Sequence, residues 1–201
     1  MPLADKWAGC DQVAFSIVQE GLGTPITFSE SYSLFPVCAE ESLKIGDAYQ
    51  GGIIFYILQP GDPGYVPNKT HGIIAAPSDQ STGIAWWNGS FTTTGATGTD
   101  LGTGQANTTA IVTSQGPGSY AAQLCNDLVL GGYDDWYLPS QDELNKLYLN
   151  RTAVGGFAST FYWSSTEYYD GGYAWYQSFF NGFQSVDETF FTNRVRAIRS
   201  F

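Results

Sequence analysis

An α+β domain is the fold class this sequence predicts, and three observations predict it. Apolar, strand-like runs open the region after residue 44, two amphipathic helical stretches follow, and short strands and turns fill the chain to Phe201. Strands, then helices, then strands is the order of segregated rather than alternating layers. A length of 201 residues suits one domain plus a small extension. With 43% hydrophobic and only 13% charged residues, the chain can build a core and is not a disordered polymer.

The elements follow in order. Residues 1–44 read as an N-terminal extension, with a strand over Val13 to Val18 and breaks at Pro25 and Pro36. The domain itself is placed at 45–201. Gly46-Asp47 and Gly51-Gly52 make a turn before the apolar run Ile53 to Leu58, a buried strand. Gln59 to Gly64 breaks it, and a second strand runs from His71 to Ala76 and stops at Pro77. Residues 88–118, rich in Gly, Thr, Ser and Asn, read as a long loop pinned to the core by Trp86, Trp87 and Phe91. Ala121, Leu124, Cys125 and Leu128 fall at helical spacing and predict the first helix, stopped by Gly131-Gly132. Ser140 with Glu143 three residues later predicts a capping box. It opens a second helix with Leu144, Leu147 and Tyr148 on its buried stripe. No further helix is expected after Arg151. The ending Arg194 to Arg199 alternates, with Val195, Ala197 and Phe201 on one face and the arginines on the other. Tyr162, Trp163, Trp136, Leu138, Val195 and Ile198 are the expected core.

Charge narrows the function. Eight basic against nineteen acidic residues give a net charge of −11. Nucleic acid and anionic membrane surfaces both need clustered Lys and Arg, so neither is an expected partner. No apolar run approaches the ~20 residues of a bilayer span, and no basic flank with an apolar stretch marks a signal peptide. Cys10, Cys38 and Cys125 lack CxxC spacing, which argues against a zinc site. A Cys10–Cys38 pair and three buried thiols both remain open.

Catalytic groupings are thin. His71 is the only histidine, and no serine sits in a GxSxG elbow. Of the acidic pairs, Asp142-Glu143 opens a helix, where the dipole already accounts for acids. Asp134 or Asp135 would have to serve a carbohydrate-active enzyme, a minor alternative. Neither catalytic residue, metal nor cofactor is expected.

The segment Phe161 to Phe191 holds thirteen aromatics in thirty-one residues, and no Lys or Arg lies between Arg151 and Arg194. Adjacent pairs such as Tyr168-Tyr169 and Phe190-Phe191 cannot share one strand face. Two cores, one per face, would explain this. An exposed aromatic face mixed with Ser, Asp, Asn and Gly, the chemistry of an antibody paratope, is the favoured reading.

Several blocks together carry a resemblance. They include Ile45-Gly46-Asp47, Gly51 to Tyr56, His71 to Ser81, Leu124 to Leu128 and Gly131 to Ser140. Glu143 to Tyr148, Tyr162 to Glu167 and Val195 to Arg199 complete them. Residues 45–201 thereby resemble the Lcl C-terminal-domain-like family, a C-type-lectin-like fold. The resemblance implies two helices and a small twisted antiparallel sheet. The chain also resembles the variable proteins of diversity-generating retroelements, in which adenine misreading turns AAY codons into NNY codons. That implies a variable region of about 168–193. Its variable, ligand-binding positions would be Tyr168, Tyr169, Asp170, Gly171, Gly172, Tyr173, Tyr176, Ser178, Phe180, Phe183, Ser185, Val186, Asp187, Phe190, Phe191, Thr192 and Asn193, all NNY-encodable. Ala174-Trp175, Gln177, Phe179, Asn181-Gly182 and Gln184 would be framework, and Glu188 lies outside the NNY set. The calcium and sugar motifs of true lectins are missing, so the fold brings no sugar binding with it.

The sequence thus predicts a ligand- or receptor-binding protein on a virion or cell surface. Its partner would be a protein or neutral glycan on another cell; the oligomeric state is left open, with a monomer favoured. A glycan-binding adhesin is the alternative.

Overall fold

The computed structural model describes residues 42–201. The Val13–Val18 strand, Cys10, Cys38 and the rest of the N-terminal extension lie outside them. Leu43–Phe201 is one compact unit. It is an α+β domain.

Among the described residues, nine strands form two sheets. The first contains β1 (Ala48–Tyr49), β2 (Gly52–Ile57), β3 (Gly72–Ala75) and β9 (Ile198–Ser200), hydrogen-bonded in the order β1-β2-β3-β9. The second contains β4 (Ser81–Ala85), β5 (Phe161–Tyr168), β6 (Tyr173–Ser178), β7 (Gln184–Glu188) and β8 (Thr192–Val195), in the order β4-β8-β5-β6-β7. The helices are α1 (Gly104–Gln115), α2 (Ala121–Asn126), α3 (Gln141–Leu149) and α4 (Arg151–Val154). Four helices and two sheets therefore replace the expected two helices and one small sheet. The pairing is not wholly antiparallel, because β5 meets β8 in parallel at Tyr162 and Arg194.

The apolar run of β2 reads as continuous because the strand is covered on both sides. Ile54 and Ile74 enter one core with Trp86, Tyr120, Trp136, Leu138, Trp163 and Val195. Their neighbours Phe55 and Ile73 enter a second with Tyr137, Leu144, Leu147, Tyr162, Phe179 and Ile198. All six residues expected in the core are there.

Four expectations about the helices fail. Within the expected loop 88–118 stands α1, whose buried side is Gly104, Asn107, Thr108 and Ile111. It docks by hydrogen bonds rather than by an apolar stripe. Asn107 pairs with the Gly98 peptide, donating from Nδ2 at 2.7 Å and accepting on Oδ1 at 3.1 Å. The Leu138 N–H donates to Thr108 Oγ1 at 3.0 Å. Helix α2 stops at Asn126, before Leu128, and only Ala121, Ala122 and Cys125 of it are buried. Gly131-Gly132, both at positive φ, form the two-residue turn between bridged Leu130 and Tyr133 and cap no helix. After Arg151, where no helix was expected, α4 adds one turn.

The ending is also not one strand. β8 and β9 part at Arg196-Ala197, and Arg196 and Arg199 are buried while Arg194 is half-buried. Asp79 receives Arg194 at 2.8 Å and Arg196 at 2.7 Å. Arg196 also donates to the carbonyls of Ala76 and Gly156 and lies 4.0 Å from the centre of the Phe157 ring. Arg199 pairs with Asp135. The capping box of α3 is formed as expected: the Glu143 N–H donates to Ser140 Oγ, and the Ser140 N–H donates to Glu143 Oε2. Glu143 is fully buried, and burial pushes its carboxyl above the usual range against the opposing pull of those hydrogen bonds.

Candidate binding surface

Strands β5, β6 and β7 form a three-stranded arm that ends the second sheet, with β7 as its edge. Tyr162 to Glu167 anchor this arm. Tyr162 and Trp163, adjacent in sequence, enter the two opposite cores. Trp163 Nε1 donates to the Ile84 carbonyl and Trp86 Nε1 to the Ser164 carbonyl, each at 2.9 Å, so two indoles tie the end of β4 to β5. Glu167 Oε2 accepts from the Thr94 N–H, the Thr94 hydroxyl and the Gly95 N–H at 2.7–2.9 Å. Thr166 Oγ1 donates to the Gly98 carbonyl and accepts from the Gln141 N–H. These polar residues hold loop 94–98 and the start of α3, which is a structural task.

The positions between Tyr168 and Asn193 divide by burial. Ala174, Gln177 and Phe179, read as framework, are buried. Gln177 donates to Asn145 Oδ1, and Gln184 donates to the Gln141 carbonyl, which fixes the arm to α3. Gly182, also framework, has no room for a side chain, because a Cβ there would stand 2.5 Å from the Tyr148 ring. Of the positions read as variable, Tyr168, Tyr169, Asp170, Tyr173, Phe180, Phe183, Phe190, Phe191 and Thr192 are exposed, with Tyr169 at 86% and Phe180 at 73%. Gly172, Tyr176, Ser185, Val186 and Asp187 are half-buried.

Gly171 and Asn193 are buried and are not part of an exposed face; Ser178 is also buried and reaches the surface only in a depression described below. At Gly171 the backbone has φ +78°, and a Cβ would lie 2.5 Å from the Thr92 carbonyl. Only glycine meets both conditions without strain.

One continuous aromatic face was expected, and the structure builds separate ones. Tyr173 and Tyr176 are three apart on β6 and point to opposite sides of the sheet. Tyr173 stands between its register partners Tyr168 on β5 and Glu188 on β7, and Tyr168 packs edge-on against Trp175 at 5.9 Å. Next to Tyr173 is a depression of about 260 Å³ lined by Phe91, Asp170, Gly172, Tyr173 and Glu188. A second depression, of about 450 Å³, lies at the other end of the arm. Phe161, Tyr176, Phe180 and Phe183 line it with Ser159, Thr160, Ser178 and Asn181. Phe161 and Tyr176 meet edge to face at 5.0 Å.

Phe91 is the residue sequence reasoning placed differently. Expected to pin a loop to the core, it is 60% exposed and packs on Trp87 at 4.8 Å and near Phe190 at 6.5 Å. Trp87 is a local partner, but Phe190 and the depression residues Asp170, Gly172, Tyr173 and Glu188 are distant in sequence, and no local signal marks those contacts.

Asp135 is paired with Arg199, and Asp134 is exposed. His71 Nδ1 lies 3.2 Å from the Phe201 carbonyl. Among the described residues no three His, Cys, Asp or Glu gather as metal ligands, and no helix is long and apolar enough to cross a membrane. Cys125 is a free, buried thiol whose pKa burial raises.

Surface placement has a direct consequence for stability. The triple replacement Tyr168→Ser, Tyr173→Ser and Phe183→Ser should leave the domain folded, because exposed substitutions shift stability by about 0.5 kcal/mol or less each. Thermal unfolding followed by circular dichroism checks this, and collapse of the fold in the triple variant would reassign these rings to the core.

A family model described as the Lcl C-terminal domain matches residues 76–199. The match takes in all four helices and the whole β5–β6–β7 arm. No curated protein is matched by the chain.

Proposed function

The chain belongs to the Lcl C-terminal domain family, and from that premise we propose that it is a non-enzymatic ligand- or receptor-binding protein. Its C-type-lectin-like scaffold displays an aromatic-rich surface diversified by a retroelement and carried on a virion or cell. One observation carries the reading: Ala174, Gln177, Phe179 and Gly182 are locked into the fold, whereas nine positions of the variable set are exposed around them. A segment built this way can change its surface without changing its support. Rigid tyrosines and phenylalanines supply contact area at low entropic cost, as in paratopes.

Sequencing the DNA around the coding region tests the diversification. A reverse-transcriptase gene beside a near-repeat of the segment for residues 168–193, with adenines at the exposed codons, is the expected result. A single-copy segment with no such repeat overturns it. The binding itself is tested by screening the purified chain on protein and neutral-glycan panels, where the triple serine variant should lose the hits.

The glycan-adhesin alternative has its own support in the second depression. Phe161, Tyr176, Phe180 and Phe183 offer ring faces, Ser, Thr and Asn offer hydrogen bonds, and no charged side chain lines it. That is the equipment for stacking on a neutral sugar.

A further inference from the structure

The depression beside Tyr173 differs from the uncharged one at the other end of the arm. Two of its five lining residues are carboxylates, Asp170 and Glu188, and two are aromatic, Phe91 and Tyr173. The fifth, Gly172, leaves the space open: a Cβ there would stand 3.2 Å from Asp170 Oδ1 and 3.8 Å from the Phe91 ring. We propose that this depression is a receptor for a cationic side chain, arginine or lysine, presented by a protein ligand. The proposal rests on the binding-surface reading and names the partner class for one part of it.

The walls are held in place by the fold. The close approach of Gly171 to the Thr92 backbone sets loop 91–93 against the β5–β6 turn. Thr189, fully buried, donates its N–H to the Gly172 carbonyl at 2.9 Å, and its own carbonyl accepts the N–H groups of Trp86 and Trp87. Trp87 and Phe190 buttress the Phe91 ring. Tyr173 and Glu188 are direct register partners and project to the same side.

Charge and ring chemistry select the occupant. Neither carboxylate has an ion-pair partner among the described residues. An anion would meet two negative groups. A neutral ligand would desolvate both carboxylates without pairing them, which costs free energy. A hard divalent ion wants six or more oxygen ligands, whereas this site offers two carboxylates between aromatic walls. A guanidinium or ammonium satisfies the acids and is attracted by the faces of the rings at the same time.

The test uses the full chain and small probes. Nα-acetyl-arginine amide and Nα-acetyl-lysine amide are titrated and followed by two-dimensional amide NMR. Nα-acetyl-citrulline amide, neutral and nearly the same shape as the arginine probe, serves as control. Saturable shifts at Gly172, Tyr173 and Glu188 with a cationic probe, at least tenfold weaker with citrulline, are expected. The Asp170→Asn/Glu188→Gln double variant, confirmed folded by its spectrum, should weaken the cationic probe at least tenfold. Equal binding of citrulline, unchanged binding in the double variant, or no saturable shift with either cation overturns the proposal. Because the probes need no natural partner, a null result removes the cation pocket and leaves the binding surface to its own panels. Loss of every panel hit alongside a seated probe would do the reverse.

Discussion

Trp163→Ala should destabilise the domain by about 3–5 kcal/mol, the range for truncating a large buried aromatic. In a domain of this size that corresponds to a fall of roughly 6–20 °C in Tm. Trp163 is fully buried, packs in the core shared with Ile54, Ile74 and Trp136, and gives its indole N–H to the Ile84 carbonyl. Losing it opens a cavity and releases one of the two indole ties between β4 and β5. Phe180→Ala, only 17 residues away and 73% exposed, is the matched control, with an expected change of about 0.5 kcal/mol or less. Denaturant titration of both variants checks the pair. An unchanged midpoint for Trp163→Ala would show that the arm does not depend on this anchor.

The contrast between these two positions also marks what the sequence made legible. Local chemistry was readable: the Ser140–Glu143 capping box needs only a spacing of three, and it formed. The apolar runs of β2 and β3 were readable because both their faces are buried. Helix α1 was not, because Asn107 and Thr108 reach across to Gly98 and Leu138, and such hydrogen bonds leave no apolar period in the sequence. The alternation of Arg194 and Arg196 with Val195 and Ala197 was readable as two faces. The arginines' shared partner Asp79, more than a hundred residues earlier, was not readable.

The candidate surface was legible as a composition and not as a shape. Crowded aromatics without Lys or Arg pointed to exposure, and nine positions are exposed. Strand period puts Tyr173 and Tyr176 on opposite faces of β6, so the aromatics form separate patches and not one face. The contribution of Phe91 depends on a contact no window of sequence contains. Gly171 passed the codon test and still cannot vary freely, since backbone conformation and the Thr92 contact both exclude a side chain.

Asp79→Ala should cost as much as the loss of Trp163, about 3–5 kcal/mol, the penalty for stranding a buried charge. The Arg196 side chain has no exposure and Asp79 has 8%. With the carboxylate gone, the guanidinium keeps the carbonyls of Ala76 and Gly156 but no counter-charge. Tyr162 also loses the acceptor of its hydroxyl, at 3.0 Å. Arg194, the other partner, is 26% exposed and can turn to water. Arg194→Ala should therefore cost only about 1 kcal/mol or less, as exposed pairs do. The asymmetry between the two arginines is the informative measurement: Arg196→Ala also leaves Asp79 unpaired on its buried side and should fall near Asp79→Ala. If Arg194→Ala proved as costly as Arg196→Ala in denaturant titrations, the weight of the network would lie at the solvent side of Asp79 and not at the corner between β8 and β9. That corner determines where the last two strands part, one into each sheet, so it joins the sheet that carries the β5–β6–β7 arm to the rest of the domain.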